Sequence, residues 1–171
     1  MKLFHVERAR APGTKPRVVF ISRERGEGRT KRIVARLPLS LWQRLPNDSH
    51  VCSHAGAMAV LAHEGLNQLI DTQQRLISAW IPESKGGRFH HILMPQERGI
   101  PRIDGGNLPH TSAVHRTMVT LPNALQTALR SEGRHVSTSL VALADWQLNQ
   151  LIDGREQIRV TPLREPKASR E

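Results

Sequence analysis

The densest group of chemically capable side chains is His50-Val51-Cys52-Ser53-His54, with His63 a short way downstream. Imidazole and thiolate are groups that zinc accepts, but zinc sites recur at defined ligand spacings. This spacing fits none of them, and Cys52 is the only cysteine. The segment therefore reads as a polar turn carrying a buried thiol. His90 and His91 follow Phe89 in a β-rich run. Neighbours on a strand point to opposite faces, so these two imidazoles cannot easily share a ligand. No nucleophile elbow, phosphate-binding loop or zinc-protease motif occurs. Arg25-Gly26-Glu27-Gly28-Arg29 is too short and too charged to cradle a phosphate. The expectation is a protein with no catalytic residues, no metal and no cofactor.

What the chain has in excess is guanidinium. Lys and Arg number 25 against 15 Asp and Glu, a formal charge of +10, and Arg far outnumbers Lys. Arg makes forked hydrogen bonds to phosphates and guanine edges. A cationic excess also draws polyanions through counterion release. The charge is concentrated: Glu7 to Arg36 holds ten basic residues and three acidic ones. Within it Arg23, Arg25, Arg29 and Lys31 form a basic arm able to touch phosphate or the minor groove. Three Trp, three Phe and no Tyr are few rings for the stacking platforms of single-strand binders. Double-stranded DNA is the expected partner.

The elements that position these groups come in two copies. Leu66-Asn67-Gln68-Leu69-Ile70-Asp71 recurs as Leu148-Asn149-Gln150-Leu151-Ile152-Asp153, and Arg36-Leu37-Pro38 aligns with Thr120-Leu121-Pro122. Self-similarity of this kind marks an internal duplication. In the second copy Arg116–Leu121 is rich in β-formers and ends at Pro122, which suits the first turn of a helix. Asn123–Arg130 reads as that helix, Gly133 as its stop, and Ser137 or Thr138 as the cap of a second helix with one apolar face. In the first copy Lys31–Leu37 is the strand, Leu39–Leu45 the short helix, and Ser53–Leu69 the long one. Extra strands are expected at Arg17–Ile21 and Phe89–Met94, each ahead of its unit.

The 171 residues thus divide into a basic arm with a strand (1–30), a first unit (31–71), a connector with a strand (72–114), a second unit (115–154) and a flexible tail (155–171). The fold class is α+β. No apolar run approaches a membrane span, and Met1–Glu7 lacks the apolar stretch of a secretory signal. With one cysteine, a cytoplasmic, reducing setting is expected.

A strand ending in Leu-Pro, a helix, a glycine-containing turn and a capped apolar helix resembles the ribbon-helix-helix superfamily of MetJ/Arc/CopG-type DNA-binding proteins. Gly133-Arg134-His135-Val136-Ser137-Thr138-Ser139-Leu140 is the segment most similar to that family's turn into its second helix. Two copies in one chain resemble the TraY-type accessory proteins of the relaxosome in conjugative plasmids. The resemblance covers the two units; the long connector and the extra strands depart from a minimal tandem. It implies two strands paired as a ribbon in the major groove, within one chain as a pseudo-dimer or between chains as a homodimer. With side chains alternating along a strand, Ile33, Ala35, Leu37, Thr117, Val119 and Leu121 would face the helices. Arg32, Val34, Arg36, Arg116, Met118 and Thr120 would face the bases. Ser53 and His54, and Ser137 and Thr138, would sit at helix N-termini that hold phosphates. The role implied is a transcriptional repressor or an accessory factor of a plasmid or conjugative element. A role of another class is a protein-interaction module working through the connector and tail, such as an antitoxin-like or conjugation-related subunit of a nucleoprotein or ribonucleoprotein complex.

Overall fold

The computed structural model describes residues 2–10, 18–20, 30–45, 53–83, 86–96, 103–105, 114–130 and 135–162. In chain order the elements are β1 (Phe4–Arg10), β2 (Val18–Phe20), β3 (Thr30–Pro38), α1 (Leu39–Arg44), α2 (His54–Thr72), β4 (Gln74–Glu83), β5 (Gly86–Pro95), β6 (Ile103–Gly105), β7 (Val114–Pro122), α3 (Asn123–Leu129), α4 (Val136–Gly154) and β8 (Glu156–Pro162). The class is α+β. The order of three strands, two helices and a strand occurs twice.

Two of the junctions show why the sequence folds this way locally. Pro38 and Pro122 stand at the N-caps of α1 and α3, with φ of −56° and −55°. A fixed φ and a missing N–H end a strand and open a helix at no hydrogen-bonding cost. At the other end, α2 and α4 stop at Gln73 and Arg155, whose φ values of 52° and 49° are left-handed. That single conformation turns each chain out of its helix and into the strand that follows.

β3 and β7 pair antiparallel as a sheet of their own, with Val34 opposite Met118. The other two sheets have three strands each. β8 lies between β1, antiparallel to it, and β2, parallel to it. β4 lies between β5, antiparallel, and β6, parallel. The last strand of each half therefore fills the centre of a sheet whose flanks come from the other half. The registers correspond as well. Val18 faces Ile158 and Ile103 faces Leu76, so matching strands of the halves meet matching partners.

α2 and α4 cross at the centre of the molecule. Gly65 allows the approach, since a Cβ there would lie 3.3 Å from Leu143 Cδ2 and 3.5 Å from Trp146 Cε3. The repeated hexapeptide meets itself at this crossing: Gln68 Nε2 donates to Gln150 Oε1 at 2.9 Å across 82 positions. A pseudo-two-fold axis thus runs between Gln68 and Gln150 and on between Val34 and Met118.

The sequence pattern suggested one apolar face per long helix. Instead every residue of α4 from Ser139 to Leu148 is buried, and so is every residue of α2 from Ala57 to His63. Burial on all sides is the mark of a central helix. Each helix has the ribbon, the other long helix and a three-stranded sheet around it, which leaves little surface to face water.

Three expectations need correction. The 72–114 stretch is not a connector with one strand: it supplies β4, β5 and β6, a complete sheet. Glu156–Pro162, expected in a flexible tail, is β8, where Ile158 and Val160 are fully buried. The N-terminal arm has a strand at Phe4–Arg10 besides the one at Val18–Phe20. Central strands gain hydrogen bonds on both edges, and this tertiary pairing outweighs a mixed-charge composition that by itself favours loops. Residues 163–171 lie outside the described residues.

Candidate nucleic-acid interface

The β3–β7 ribbon carries the six residues singled out from the sequence. Ala35, Leu37, Val119 and Leu121 are fully buried, and they alternate with side chains that face solvent. The exposed set is Arg32, Val34, Arg36, Arg116, Met118 and Thr120. Val34 and Met118 are apolar yet 42% and 53% exposed. Arg36 lies directly opposite Arg116, and Arg32 opposite Thr120. Like charges directly across a ladder repel, an arrangement that costs stability in water and is relieved beside a polyanion. Lys31, the one member of the basic arm inside a described element, is exposed at the start of β3. Arg23, Arg25 and Arg29 lie outside the described residues, as does the Arg25–Gly28 turn.

The helix N-termini differ from expectation. Ser53 is the N-cap of α2, and its hydroxyl accepts the Gly56 N–H at 3.0 Å. In the second half the cap is His135, with no side-chain cap bond. Ser137 and Thr138 sit one and two residues inside α4, partly buried, so neither is the cap expected of it. His135 takes the extended conformation of a cap, with ψ of 125°, and the helix begins at Val136, two residues earlier than a Ser137 cap would start it and three earlier than a Thr138 cap.

His54 opens α2, and its ring is half-buried rather than turned to solvent. It stacks on Trp42 at 4.1 Å between centroids, and Trp42 stacks on His115 at 3.8 Å on its other face. Burial first, and then the charge of His115, hold the His54 pKa below its ordinary value. The ring is therefore neutral at pH 7, and the point cation a phosphate would want is absent from it.

Two buried clusters stand outside the sequence reading. Asp145 on α4 accepts from His91 Nε2 at 2.7 Å and from Arg44 Nη2 at 2.5 Å. Because His91 Nε2 donates to the carboxylate, its Nδ1 in the neutral ring accepts from the Ser78 hydroxyl at 2.6 Å. A serine, a histidine and a carboxylate in a row have the order of a hydrolase triad. Yet Ser78 is only 3% exposed, leaving no room for an electrophile beside its oxygen, and Arg44 takes up the other carboxylate oxygen. The chain of bonds fastens β4 and β5 to α4.

The matching position on α2 is His63, 1% exposed. Its Nε2 accepts the Leu3 N–H at 3.1 Å, and the ring meets the edge of Phe4. With Nε2 accepting, Nδ1 carries the proton and donates to Glu64 at 3.2 Å. His63 thus holds the start of β1. The sequence signal for both clusters was a polar residue in the middle of an apolar helix, followed four positions later by the Asn of the repeated hexapeptide.

His54 and His63 are engaged as described, His50 and Cys52 lie outside the described residues, and no group of three or more metal-binding side chains occurs among the described residues. His90 is exposed while His91 turns inward, as strand alternation requires. No helix among the described residues is long and apolar enough to cross a membrane. Comparison with protein-family models, with curated proteins and with solved structures finds no match.

Proposed function

We propose that this chain is a sequence-specific double-stranded DNA-binding protein of ribbon-helix-helix type, in which two units form a pseudo-dimer within one polypeptide. The observation that carries the reading is the ribbon: two antiparallel strands that, among the described residues, pair with each other alone, with inward and exposed residues alternating from Ile33 to Leu37 and from Arg116 to Leu121 and three arginines outward. A two-stranded ribbon fits the major groove. Arg32, Arg36 and Arg116 suit guanine O6 and N7, Val34 and Met118 suit thymine methyls, and Thr120 can donate or accept. The extra strands pair in sheets of their own, which leaves the outer face of the ribbon available. The backbone N–H groups in the first turns of α2 and α4 supply phosphate contacts to either side. Ser53, His54, Ser137 and Thr138 flank those contacts by place rather than by charge. The process served is transcriptional repression or an accessory role in plasmid transfer.

Fluorescence anisotropy on duplex DNA tests this. Binding weakens steeply with salt, as phosphate neutralisation demands. Arg116→Ala weakens specific binding by about 1–3 kcal/mol and relaxes preference at one base position. An unchanged sequence preference would remove the base-reading assignment.

A second reading, that of an interaction module within a nucleoprotein complex, is favoured by β5. It is an edge strand on which Ile92, Leu93 and Met94 are 48%, 40% and 38% exposed. Absence of duplex affinity at moderate salt would move the weight to that reading.

A further inference from the structure

We infer that the duplex read by this ribbon is not a palindrome: its two half-sites differ, and the half facing Arg36 and Arg116 carries more guanine contacts. This rests on the DNA-binding reading above and adds to it the symmetry of the target.

The pseudo-two-fold axis passes between Val34 and Met118, which face each other in the ladder. That axis exchanges Arg32 with Arg116, and Arg36 with Thr120. The first exchange preserves the side chain; the second does not. One end of the ribbon therefore presents two guanidinium groups, Arg36 opposite Arg116, and the other presents Arg32 opposite Thr120. All four side chains are exposed.

A palindromic duplex offers the same groups at both ends, so equal side chains are needed to read it equally. A forked arginine takes guanine O6 and N7, whereas a threonine takes a single hydrogen bond or a thymine methyl. The two ends of this ribbon then cannot prefer the same base pairs. The mutual repulsion of Arg36 and Arg116 across the ladder is relieved where two guanines place their acceptor edges together. The scaffold behind the ribbon differs between the ends in the same sense. His115 and Trp42 stack at the Arg36 end, while at the other end Lys31 faces Leu121 and the repeat puts a buried Gln126 in the place of Trp42.

Two single substitutions restore symmetry. Thr120→Arg gives both ends two arginines, and Arg36→Thr gives both ends one. Both positions are exposed, and unchanged circular dichroism and urea midpoint establish that each variant folds.

The experiment is selection of randomised duplexes by the full chain and both variants, followed by anisotropy on the selected site and on the two palindromes built from its halves. The expected result is an asymmetric site for the wild type. Thr120→Arg then gains about tenfold for the palindrome of the guanine-rich half, the size of one forked contact. Arg36→Thr shifts to the palindrome of the other half. Selection of a palindrome by the wild type, with both variants unchanged in preference, overturns the inference and leaves the DNA-binding reading in place. Recovery of no duplex by any of the three overturns both.

Discussion

The two halves of this molecule solve one packing problem with different chemistry. Each long central helix buries a polar residue at the same place in the repeat, His63 on α2 and Asp145 on α4. Each uses that residue to fasten the first strand of its own half. In the first half the anchor is a neutral imidazole accepting a backbone N–H from Leu3. In the second it is a carboxylate held by His91 and by Arg44, with Asn149 adding a contact at 3.4 Å. The equivalent of Arg44 in the second short helix is Ala128, so the first half has no such ionic tie. The duplicated architecture fixes where an anchor is needed, and it leaves the choice between a neutral and a charged one open.

The largest expected effect comes from removing the charged anchor. Asp145→Ala leaves the buried Nε2 of His91 without its acceptor and Arg44 without its carboxylate, and breaking a buried pair costs about 3–5 kcal/mol. The low end applies, since Arg44 is 37% exposed and can turn to water. His63→Ala removes the hydrogen bonds to Leu3 and Glu64 and an aromatic edge contact, while the Glu64 carboxylate stays partly in water, so about 2 kcal/mol is expected. Arg44→Met leaves Asp145, only 4% exposed, with hydrogen bonds from His91 and Asn149 but no cation, so a loss of about 2 kcal/mol is expected, below the full cost of a broken buried pair. Urea unfolding of the three variants ranks them. Equal losses at 145 and 63 would show that both sites are simple packing positions and would end the distinction.

A smaller effect sharpens the symmetry itself. Gln68 and Gln150 are the same residue of the repeat, bonded to each other where α2 and α4 cross. Gln68→Ala and Gln150→Ala in a double-mutant cycle should couple by about 0.5–1.5 kcal/mol, the net worth of one hydrogen bond. Additive single effects would place the axis elsewhere, because Gln150 also donates to Gln147 at 3.1 Å.

How much of this was legible follows from which forces wrote each part. The ribbon could be read because its alternation is carried by side chains: apolar Ala35, Leu37, Val119 and Leu121 come at every second position, with Arg36 and Thr120 between them. The repeat could be read from six consecutive residues. The two three-stranded sheets could not, because their strands are held largely by backbone pairing, which composition does not record. Phe4–Arg10 is mostly charged and exposed, and Glu156–Pro162 shows only Ile158 and Val160 in alternation. One signal was there to use. Phe4-His5 and Phe89-His90 are the same dipeptide at matching places in the ladders, facing Pro162 and Trp80 respectively. With it the duplication extends from the strand-helix-helix units to nearly the whole chain. Asp145 was hidden for another reason: a carboxylate in an apolar helix is legible as a site only once its partners from β5 and α1 are in place.

The smallest expected effect concerns the Trp42 stack, which again exists in one half only. Burial and the neighbouring His115 hold the His54 pKa below 6.5. The folded state therefore binds a proton at His54 less readily than the unfolded state does. Well above pH 6.5 both states are neutral there and the group makes no difference to stability. As pH falls below that value the unfolded chain takes up the proton first, so stability declines until the folded-state pKa is passed. His54→Phe keeps a ring on Trp42 and removes the titration. Urea midpoints between pH 7.5 and 5.5 should fall more for the wild type than for this variant, and the difference isolates His54 from the other eight of the nine histidines. His115→Phe should reduce the same decline by removing the charge that disfavours a second one across the indole. If the two variants follow the wild type through the whole range, the stack is an aromatic contact with no bearing on protonation.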